Sequence, residues 1–287
     1  MQEKKMILPV DILAANFNNG KYLDDFFCSI YQSTALPNRI IFVDDKSTDN
    51  SLEIVGQWIT KLPQLFVVKL KKNVGFANAL NEGCKHIVSE YVARIDPDDT
   101  LEPERLEAQY EFMVKNNIDV LGSNVSYFID DEMVAINHSK FPTEHDDILA
   151  RYQEGSHGVC HGAVMLAKVC LESEQYRQEY VPAEEYDIFS RLLCRGFIFG
   201  NLGEVLTSVR VHAESVSNNM PYATVEKTFK LRQLIWGQRT SRLVVFKEYL
   251  VRNNYRKYLF AKGIERYLFL VLASFLKPKA VMKRLLK

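Results

Sequence analysis

The sequence predicts an α/β protein in which a doubly wound, mostly parallel sheet is followed by a helical C-terminal extension. Three observations predict this fold. Short apolar runs alternate with segments of helical periodicity, two of these runs end in acidic clusters, and the periodicity is helical throughout from Thr224 onward. Because 47% of the 287 residues are hydrophobic, the chain can bury one large core.

Each element is predicted from the pattern of its apolar residues. In a buried strand the apolar residues form an uninterrupted run, whereas in a helix they recur every three to four residues. The predicted strands span residues 10–15, 39–43, 65–70, 91–95 and 118–126. The predicted helices span residues 22–31, 51–59, 77–89 and 186–194, with another beginning at 103. In such a sheet ligands bind beyond the carboxyl ends of the strands, where both acidic clusters fall.

Charge and cysteine content exclude several classes of protein. The chain has 36 basic and 36 acidic residues, so its overall charge does not indicate a nucleic acid partner. Its five cysteines are scattered without a C-x-x-C pair, which predicts reduced thiols and neither a zinc site nor a disulfide framework. The N-terminal apolar run is interrupted by Asp11 and is too short for a signal peptide or membrane span. We therefore expect a cytoplasmic protein.

One acidic cluster directly follows the predicted strand 91–95. It consists of Asp96, Asp98 and Asp99, with Pro97 to stiffen the turn. Carboxylate oxygens bind divalent cations, and such a cation balances the charge of a diphosphate when a sugar leaves it. The alternative is an acidic cap for the helix that begins at Pro103. Taken alone, the cluster leaves both interpretations open.

A second acidic pair, Asp44 and Asp45, follows the strand 39–43. A turn with a helix cap would also explain this pair, since Ser47, Thr48 and Asp49 come next. The two clusters lie at the ends of strands on one side of a nucleotide-binding type of sheet. Their joint arrangement favours a functional site.

Five motifs follow one another along the chain, namely A-N-F-N with G-K-Y-L (15–18, 20–23), V-D-D-K-S-T-D (43–49), N-V-G-F-A-N-A-L-N-E-G (73–83), D-P-D-D (96–99) and P-E-R-L (103–106). In this order they resemble the motifs of glycosyltransferase family 2, the inverting enzymes with a GT-A type nucleotide-binding domain. Each is weak alone, but the ordered match spans about residues 8–215. The resemblance implies a GT-A fold and transfer of a sugar from a nucleotide diphosphate-sugar, with UDP-sugar favoured, to an acceptor hydroxyl.

The resemblance also implies a donor site. Its predicted residues are Ala15, Phe17, Asn18, Asp44, Asp45, Asn73, Arg94 and Asp96. Phe17 would pack against the face of the base, and Asp45 would accept a hydrogen bond from it. For Arg94, a plain surface salt bridge is an equally good interpretation.

The same resemblance implies a Mn²⁺ or Mg²⁺ ion held by Asp96 and Asp98, with help from Asp99. Asp96 would also hold the ribose. His212 lies in R-V-H-A-E-S-V-S (210–217), which is similar to a family loop whose imidazole reaches the metal or the diphosphate. His161 resembles a family histidine on the acceptor side, and a structural role is its alternative.

The family's general base corresponds to Glu185 in P-A-E-E-Y-D-I-F-S-R-L (182–192). An inverting transfer needs one base to take the proton of the attacking hydroxyl. The family has an aspartate at this position, so Glu185 is one methylene longer. Glu184 and Asp187 are the alternative bases, and an acidic first turn of a helix is the structural interpretation.

The predicted domains are a GT-A catalytic domain (1–219), with a nucleotide-binding half (1–125) and an acceptor-side half (126–219), and a basic helical extension (220–287). From Ser241 onward the chain has twelve basic residues and two acidic ones, and the apolar run Tyr267 to Leu276 is too short to span a bilayer. We expect this tail to contact the inner face of a membrane, where a saccharide or lipid-linked saccharide acceptor would be presented. A core helix with a solvated basic end is the alternative. The sequence does not predict the oligomeric state.

Two other functions fit parts of the pattern. A sugar nucleotidyltransferase shares strand-end carboxylates and metal chemistry, but it needs a glycine-rich loop after the first strand, and residues 14–19 contain no glycine. Because Glu185 stands where the family has an aspartate, a non-catalytic relative that binds sugar nucleotides is the other alternative.

Overall fold

The protein, in a computed structural model, is described over residues 5–129, 135–212, 221–261 and 263–278. Over these residues it forms one nine-stranded sheet covered by helices, which confirms the predicted α/β class. The strands are β1 (Met6–Asn16), β2 (Ala35–Asp44), β3 (Leu65–Lys69), β4 (Tyr91–Arg94), β5 (Thr100–Leu101), β6 (Val120–Ile129), β7 (Ala135–His138), β8 (Met165–Ala167) and β9 (Phe199–Val211).

The sheet is mixed, with the order β3-β2-β1-β4-β8-β6-β9-β5 and β7 paired to β6. The first four strands of this order are parallel, as predicted, and β6 is parallel to β9. The short strands β5, β7 and β8 pair antiparallel with their neighbours. In the parallel part, Asn16 at the end of β1 lies beside Asp44 at the end of β2. The polar residues that follow these strands therefore meet at one edge.

Ten α-helices lie in the described part of the chain. They are α1 (Gly20–Gln32), α2 (Ser51–Trp58), α3 (Phe76–Cys84), α4 (Arg105–Asn116), α5 (His145–Gln153), α6 (Lys168–Ser173), α7 (Glu184–Cys194), α8 (Tyr222–Trp236), α9 (Arg242–Phe260) and α10 (Glu265–Leu276). A 3-10 turn, His161–Ala163, precedes β8.

Both faces of the sheet are apolar because successive side chains of a strand point in opposite directions. In β2, Ile40 and Phe42 belong to the core under α1 and α2, whereas Ile41 and Val43 belong to the core under α3 and α7. A parallel sheet covered on both faces needs such continuous apolar strands. This explains why the runs in the sequence are uninterrupted.

Helix α3 ends at Cys84, five residues before its predicted end at 89. The cause is Asp11, whose buried carboxylate accepts the backbone N–H groups of Val88 (2.7 Å) and Ser89 (3.0 Å) and the hydroxyl of Ser89 (2.7 Å). These bonds hold residues 88 and 89 in an extended turn, since a buried carboxylate needs donors. The aspartate that interrupts the first apolar run thus fixes the chain that leads into β4.

The C-terminal extension is helical in its described residues, as predicted. Helix α8 packs against α5 and α7, α9 packs against α8, and α10 packs against α9. The predicted domain boundary at residue 219 and the basic residues Lys279, Lys283, Arg284 and Lys287 lie outside the described residues. The predicted boundary between the two halves, residue 125, lies within β6.

Two helical glycines give opposite predictions for stability. A Cβ at Gly83 would meet Leu13 and would lie 2.8 Å from Val43 Cγ2, whereas a Cβ at Gly56 meets nothing within 4 Å. We expect Gly83→Ala to lower the free energy of unfolding by about 1–3 kcal/mol through overpacking. Gly56→Ala should raise it by about 0.5–1 kcal/mol, because alanine loses less backbone entropy in a helix. Urea denaturation of both variants measures this, and equal effects would contradict the close packing of α3 on the sheet.

Candidate functional site

Three carboxylates converge just beyond the end of β4. Oxygens of Asp96, Asp98 and Asp99 all lie within 4.8 Å of one another. A backbone hydrogen bond from Asp99 N–H to the Asp96 carbonyl (3.1 Å) closes the turn that brings them together. Gly162 leaves room beside them, because a Cβ there would lie 3.2 Å from carboxylate oxygens of both Asp96 and Asp99. This glycine was not predicted as a site residue.

Burial and neighbouring negative charge make Asp99 and Asp96 harder to ionise than ordinary aspartates. Burial, followed by the charges of Asp98 and Asp96, raises the pKa of Asp99 well above its ordinary value. Burial also raises the pKa of Asp96, although the Arg94 charge beside it acts in the opposite direction. A divalent cation would favour the ionised form of all three groups.

Arg94 is buried, and its guanidinium donates two hydrogen bonds to the carboxylate of Asp96. Its guanidinium carbon also lies 5.2 Å from the centre of the Phe76 ring. Because only 1% of Arg94 is exposed, the interpretation as a surface salt bridge does not hold. The pair instead fixes Asp96 at the edge of the sheet.

The end of β9 is tied to the acidic turn. The backbone N–H of Arg210 donates to Asp99 Oδ1 (2.9 Å), and its side chain donates to the Asp98 carbonyl (2.9 Å) and to Asp25 (2.7 Å). His212 follows, with Nε2 3.1 Å from Asp98 Oδ2. The structure therefore places His212 beside Asp98, and its role at a metal stays a prediction. Arg210 and Asp25 were missed, although Arg210 stands in the quoted R-V-H-A-E-S-V-S motif.

The loops after β1 and β2 form the adjoining part of the same edge. Asp45 accepts the backbone N–H groups of Val74 (2.7 Å) and Gly75 (2.9 Å), and Asp44 accepts the Asn16 amide (3.2 Å). Gly75 has φ of 87°, a conformation that favours glycine. Both predicted aspartates thus hold the loops together.

The other predicted donor residues lie on these loops. Ala15 is buried, Phe17 is 45% exposed, and Asn73 is exposed. Asn18 has φ of 58°, and its side chain accepts the backbone N–H of Thr48 (2.8 Å). Asn16, which was not predicted, has a buried Oδ1 without a hydrogen-bond partner among the described residues.

Three acids occupy the first turn of α7, and they differ in environment. Asp187 is fully buried and accepts two hydrogen bonds from Arg191 (3.0 and 2.7 Å), so its carboxylate is engaged within the helix. Burial raises the pKa of Glu184 and of Glu185 to about 7 in each case. The Glu185 side chain is 32% exposed, whereas Glu184 is buried. Glu185 is the more accessible of the two.

His161 lies in an aromatic cluster. Its Nε2 is 2.8 Å from the hydroxyl of Tyr176, and its ring contacts Phe76 and Phe189 edge to face. Burial, followed by the charge of Arg94, lowers the pKa of His161 well below its ordinary value, so the ring is neutral. These contacts give His161 a structural role in the core. Its role on the acceptor side stays a prediction.

Arg105, in the P-E-R-L motif, was not predicted as a site residue. Its guanidinium is fully buried and donates to the carbonyls of Arg94 (2.7 Å), Gly162 (3.0 Å) and Val164 (3.3 Å). Burial lowers its pKa to about 10, which still leaves it protonated at neutral pH. Arg105 therefore joins the end of β4 to the turn that carries Gly162.

The fold resembles that of solved nucleotide-sugar enzymes. Residues 1–349 of TarS from S. aureus, in complex with UDP, superpose with a TM-score of 0.62 over 96% of this chain and 82% of that one, at 17% identity. The mannosyltransferase PcManGT from Pyrobaculum calidifontis, in complex with GDP-Man and Mn²⁺, gives 0.62 with the same coverages at 15% identity. At such identities the likeness concerns the fold alone.

Sequence comparison identifies relatives of similar length. The amylovoran biosynthesis glycosyltransferase AmsE of Erwinia amylovora is 28% identical over 228 residues, 78% of this chain and 84% of AmsE. An Escherichia coli UDP-Gal:alpha-D-GlcNAc-diphosphoundecaprenol beta-1,3-galactosyltransferase is 27% identical over 197 residues, 68% of this chain and 70% of the relative. The family described as glycosyl transferase family 2 matches residues 11–172, more than half of the chain. The chain therefore belongs to glycosyl transferase family 2 and is a glycosyltransferase.

Proposed function

We propose that this glycosyltransferase inverts the anomeric centre as it moves a sugar from a nucleotide diphosphate-sugar to an acceptor hydroxyl in polysaccharide or lipopolysaccharide synthesis. The observation that carries this proposal is the convergence of Asp96, Asp98 and Asp99 within 4.8 Å, next to the loops after β1 and β2. The names of relatives such as AmsE support a role in polysaccharide synthesis. Family membership argues against the nucleotidyltransferase alternative.

A Mn²⁺ or Mg²⁺ ion fits the carboxylates. All three offer hard oxygen ligands, which these cations prefer, and burial followed by neighbouring charge raises the pKa of Asp99, a cost that a cation would compensate. Asp96 and Asp98 would hold the ion, with Asp99 and His212 beside them. When bound, the ion would neutralise the diphosphate leaving group. The complex of PcManGT with GDP-Man and Mn²⁺ supports this assignment.

We assign the nucleotide to the loops after β1 and β2, and UDP is the favoured nucleotide. The exposed ring of Phe17 offers a stacking surface for a base, and Asp45 fixes the loop after β3 through the N–H groups of Val74 and Gly75. Complexes of TarS with UDP and the UDP-Gal donor in the name of the E. coli relative support UDP.

Glu185 is the proposed general base. A base works best with a pKa near the working pH, and burial places the pKa of Glu185 at about 7. Its partial exposure allows contact with an acceptor, whereas Asp187 is held by Arg191 and Glu184 is buried. An inverting mechanism requires only this one proton acceptor.

The metal proposal predicts that Asp98→Asn abolishes turnover. The neutral amide would weaken the cation site, and the diphosphate would then face uncompensated carboxylates. Sugar transfer from UDP-sugars should be measured with Mn²⁺, with Mg²⁺ and with excess chelator, and thermal melting should show that the variant is folded. Full activity in chelator would rule out the metal.

The base proposal predicts that Glu185→Gln lowers turnover by about 10²- to 10⁴-fold while donor affinity is nearly unchanged. Because the ionised carboxylate is the active form, kcat/KM of the unmodified enzyme should rise with pH up to about 7 and then level off. Glu184→Gln and Asp187→Asn serve as controls. If either control shows this loss and Glu185→Gln does not, the base is assigned to the wrong residue.

We further propose that α10 docks the enzyme on an anionic membrane surface. Its inner stripe, Arg266, Phe269, Leu270 and Ala273, packs toward α9, with Lys257 of α9 5.4 Å from the centre of the Phe269 ring. Its outer stripe, Leu268, Val271 and Phe275, is 59%, 63% and 87% exposed, and Ile264, which precedes the helix, is 86% exposed. No helix in the described ranges is long and apolar enough to cross a bilayer.

Charge favours lipid over a second copy of the chain as the occupant of this surface. Residues 241–287 carry twelve basic and two acidic side chains, so two such tails would repel each other. Anionic lipid would instead attract them, at about 1 kcal/mol per basic residue near the surface. The diphosphoundecaprenol-linked acceptor in the name of the E. coli relative supports a lipid-linked acceptor at this surface.

The docking proposal predicts that the double variant Leu268→Gln/Phe275→Gln no longer sediments with anionic vesicles. Val114→Gln, at a 49% exposed position of α4, is the matched control and should bind like the unmodified protein. Binding should weaken with salt because charge attraction is screened beyond about 8–10 Å. Transfer to a soluble acceptor analogue should not change. A salt-resistant dimer that the same double variant dissociates, with no vesicle binding, would assign the surface to a second copy.

A further inference from the structure

A histidine that was not predicted as a site residue stands next to the proposed base. His157 precedes the 3-10 turn His161–Ala163, and its Nδ1 lies 3.3 Å from Glu185 Oε1. This Nδ1 atom is buried and makes no hydrogen bond within the described part of the chain, although a third of the side chain is exposed. A buried polar nitrogen needs a partner, and the Glu185 carboxylate is within reach.

The His157 ring is held in place and uncharged. Tyr152 and Tyr186 pack against it edge to face, with ring centres 6.2 and 5.8 Å away. Burial, followed by the positive charge of Arg252, lowers the pKa of His157 to about 4. At neutral pH the ring therefore cannot form an ion pair with Glu185, but the tautomer with a proton on Nδ1 can donate a hydrogen bond to it.

The loop that presents His157 is fastened by the C-terminal helices. Arg232 of α8 donates to the carbonyl of Gln153 (2.5 Å), and Arg252 of α9 donates to the carbonyl of Gly155 (2.6 Å). Gly155 has φ of 81°, so the chain reverses there in a conformation that favours glycine. The hydroxyl of Tyr186, one residue after Glu185, donates to the carbonyl of Tyr152 (2.5 Å). The backbone of residues 152–155, just before His157, is thus bonded to α7, α8 and α9.

We propose that His157 is a positioning residue that donates a hydrogen bond to the base Glu185, and that Arg252 and Arg232 hold it there. This inference rests on the proposed function, because it requires Glu185 to be the base. If this is so, the helical extension supports the active site through α8 and α9. That role is separate from the docking proposed for the outer face of α10. A hydrogen bond of this kind both orients a carboxylate and favours its ionised form.

Other charged groups around the pair set the background for its pH dependence. Arg94 and Asp96 act on Glu185 from the end of β4, and Glu184 adjoins it on α7. Arg252 acts on His157 from α9. None of these groups changes when only the ring nitrogen of His157 is removed. A change in the pH profile of such a variant would therefore report the loss of the donor.

His157→Phe keeps an aromatic ring between Tyr152 and Tyr186 but removes the donor, whereas His157→Gln keeps an N–H group. We expect His157→Phe to lower kcat about tenfold or more, with the KM for donor unchanged, because a hydrogen bond to a charged group is lost. The acidic limb of its profile of kcat/KM against pH should move to higher pH by about one unit, since the ionised form of the Glu185 carboxylate loses stabilisation. His157→Gln should restore most of both properties.

Arg252→Gln tests the link to the extension. It should move the acidic limb of the pH profile in the same direction by a smaller amount, because the loop loses one of the two arginine side chains that bond to its backbone. Arg242→Gln, at the exposed start of α9, is the matched control and should leave the profile unchanged. Thermal melting of each variant separates these effects from unfolding.

The outcomes distinguish the two proposals. If Glu185→Gln is inactive and the limb of His157→Phe stays in place, the positioning role is wrong while the base assignment stands. If Glu185→Gln keeps full activity, both are wrong. A uniform loss of rate at every pH in His157→Phe, without rescue by His157→Gln, would reduce His157 to a packing residue and overturn the inference.

Discussion

The convergence of Asp96, Asp98 and Asp99 is the constraint around which the surrounding structure is arranged. Three carboxylates within 4.8 Å repel one another, and burial of Asp99 adds to the cost of ionisation. Three buried arginines surround this turn, namely Arg94, Arg105 and Arg210. Arg94 pairs with Asp96, Arg105 bonds mainly to backbone carbonyls, and Arg210 bonds to the Asp98 carbonyl and the Asp25 carboxylate.

These arginines connect parts of the chain that are far apart in sequence. Arg105 joins β4 to the turn at Gly162, and Arg210 joins β9 to Asp98 and to Asp25 of α1. A buried guanidinium requires acceptors for its N–H groups, so each of these side chains draws several segments to one point. The acidic edge is consequently formed by both halves of the sheet. Elsewhere, Arg232 and Arg252 connect the C-terminal helices to the loop before His157 in the same way, through the carbonyls of Gln153 and Gly155.

The sequence predicts the parallel part of the fold well because its signals are local. Continuous apolar runs define β1 to β4, and the acidic residues that follow β2 and β4 lie at one edge because parallel strands end on the same side. The early end of α3 could not be predicted, because it depends on Asp11, 77 residues before Val88. Arg105, Arg210 and His157 were missed for the same reason. Arg105 and Arg210 stand in quoted motifs, but the contacts that give them a role are distant in sequence, and no motif marks His157.

The central claim is that the acidic cluster binds the donor through a divalent cation. Calorimetric titration of the full chain with UDP tests it most directly, because binding is measured without any acceptor. We expect clear binding of UDP in Mn²⁺ or Mg²⁺, weak or undetectable binding in excess chelator, and the same loss in Asp98→Asn at saturating metal. Equal affinity for UDP with and without the metal would contradict it.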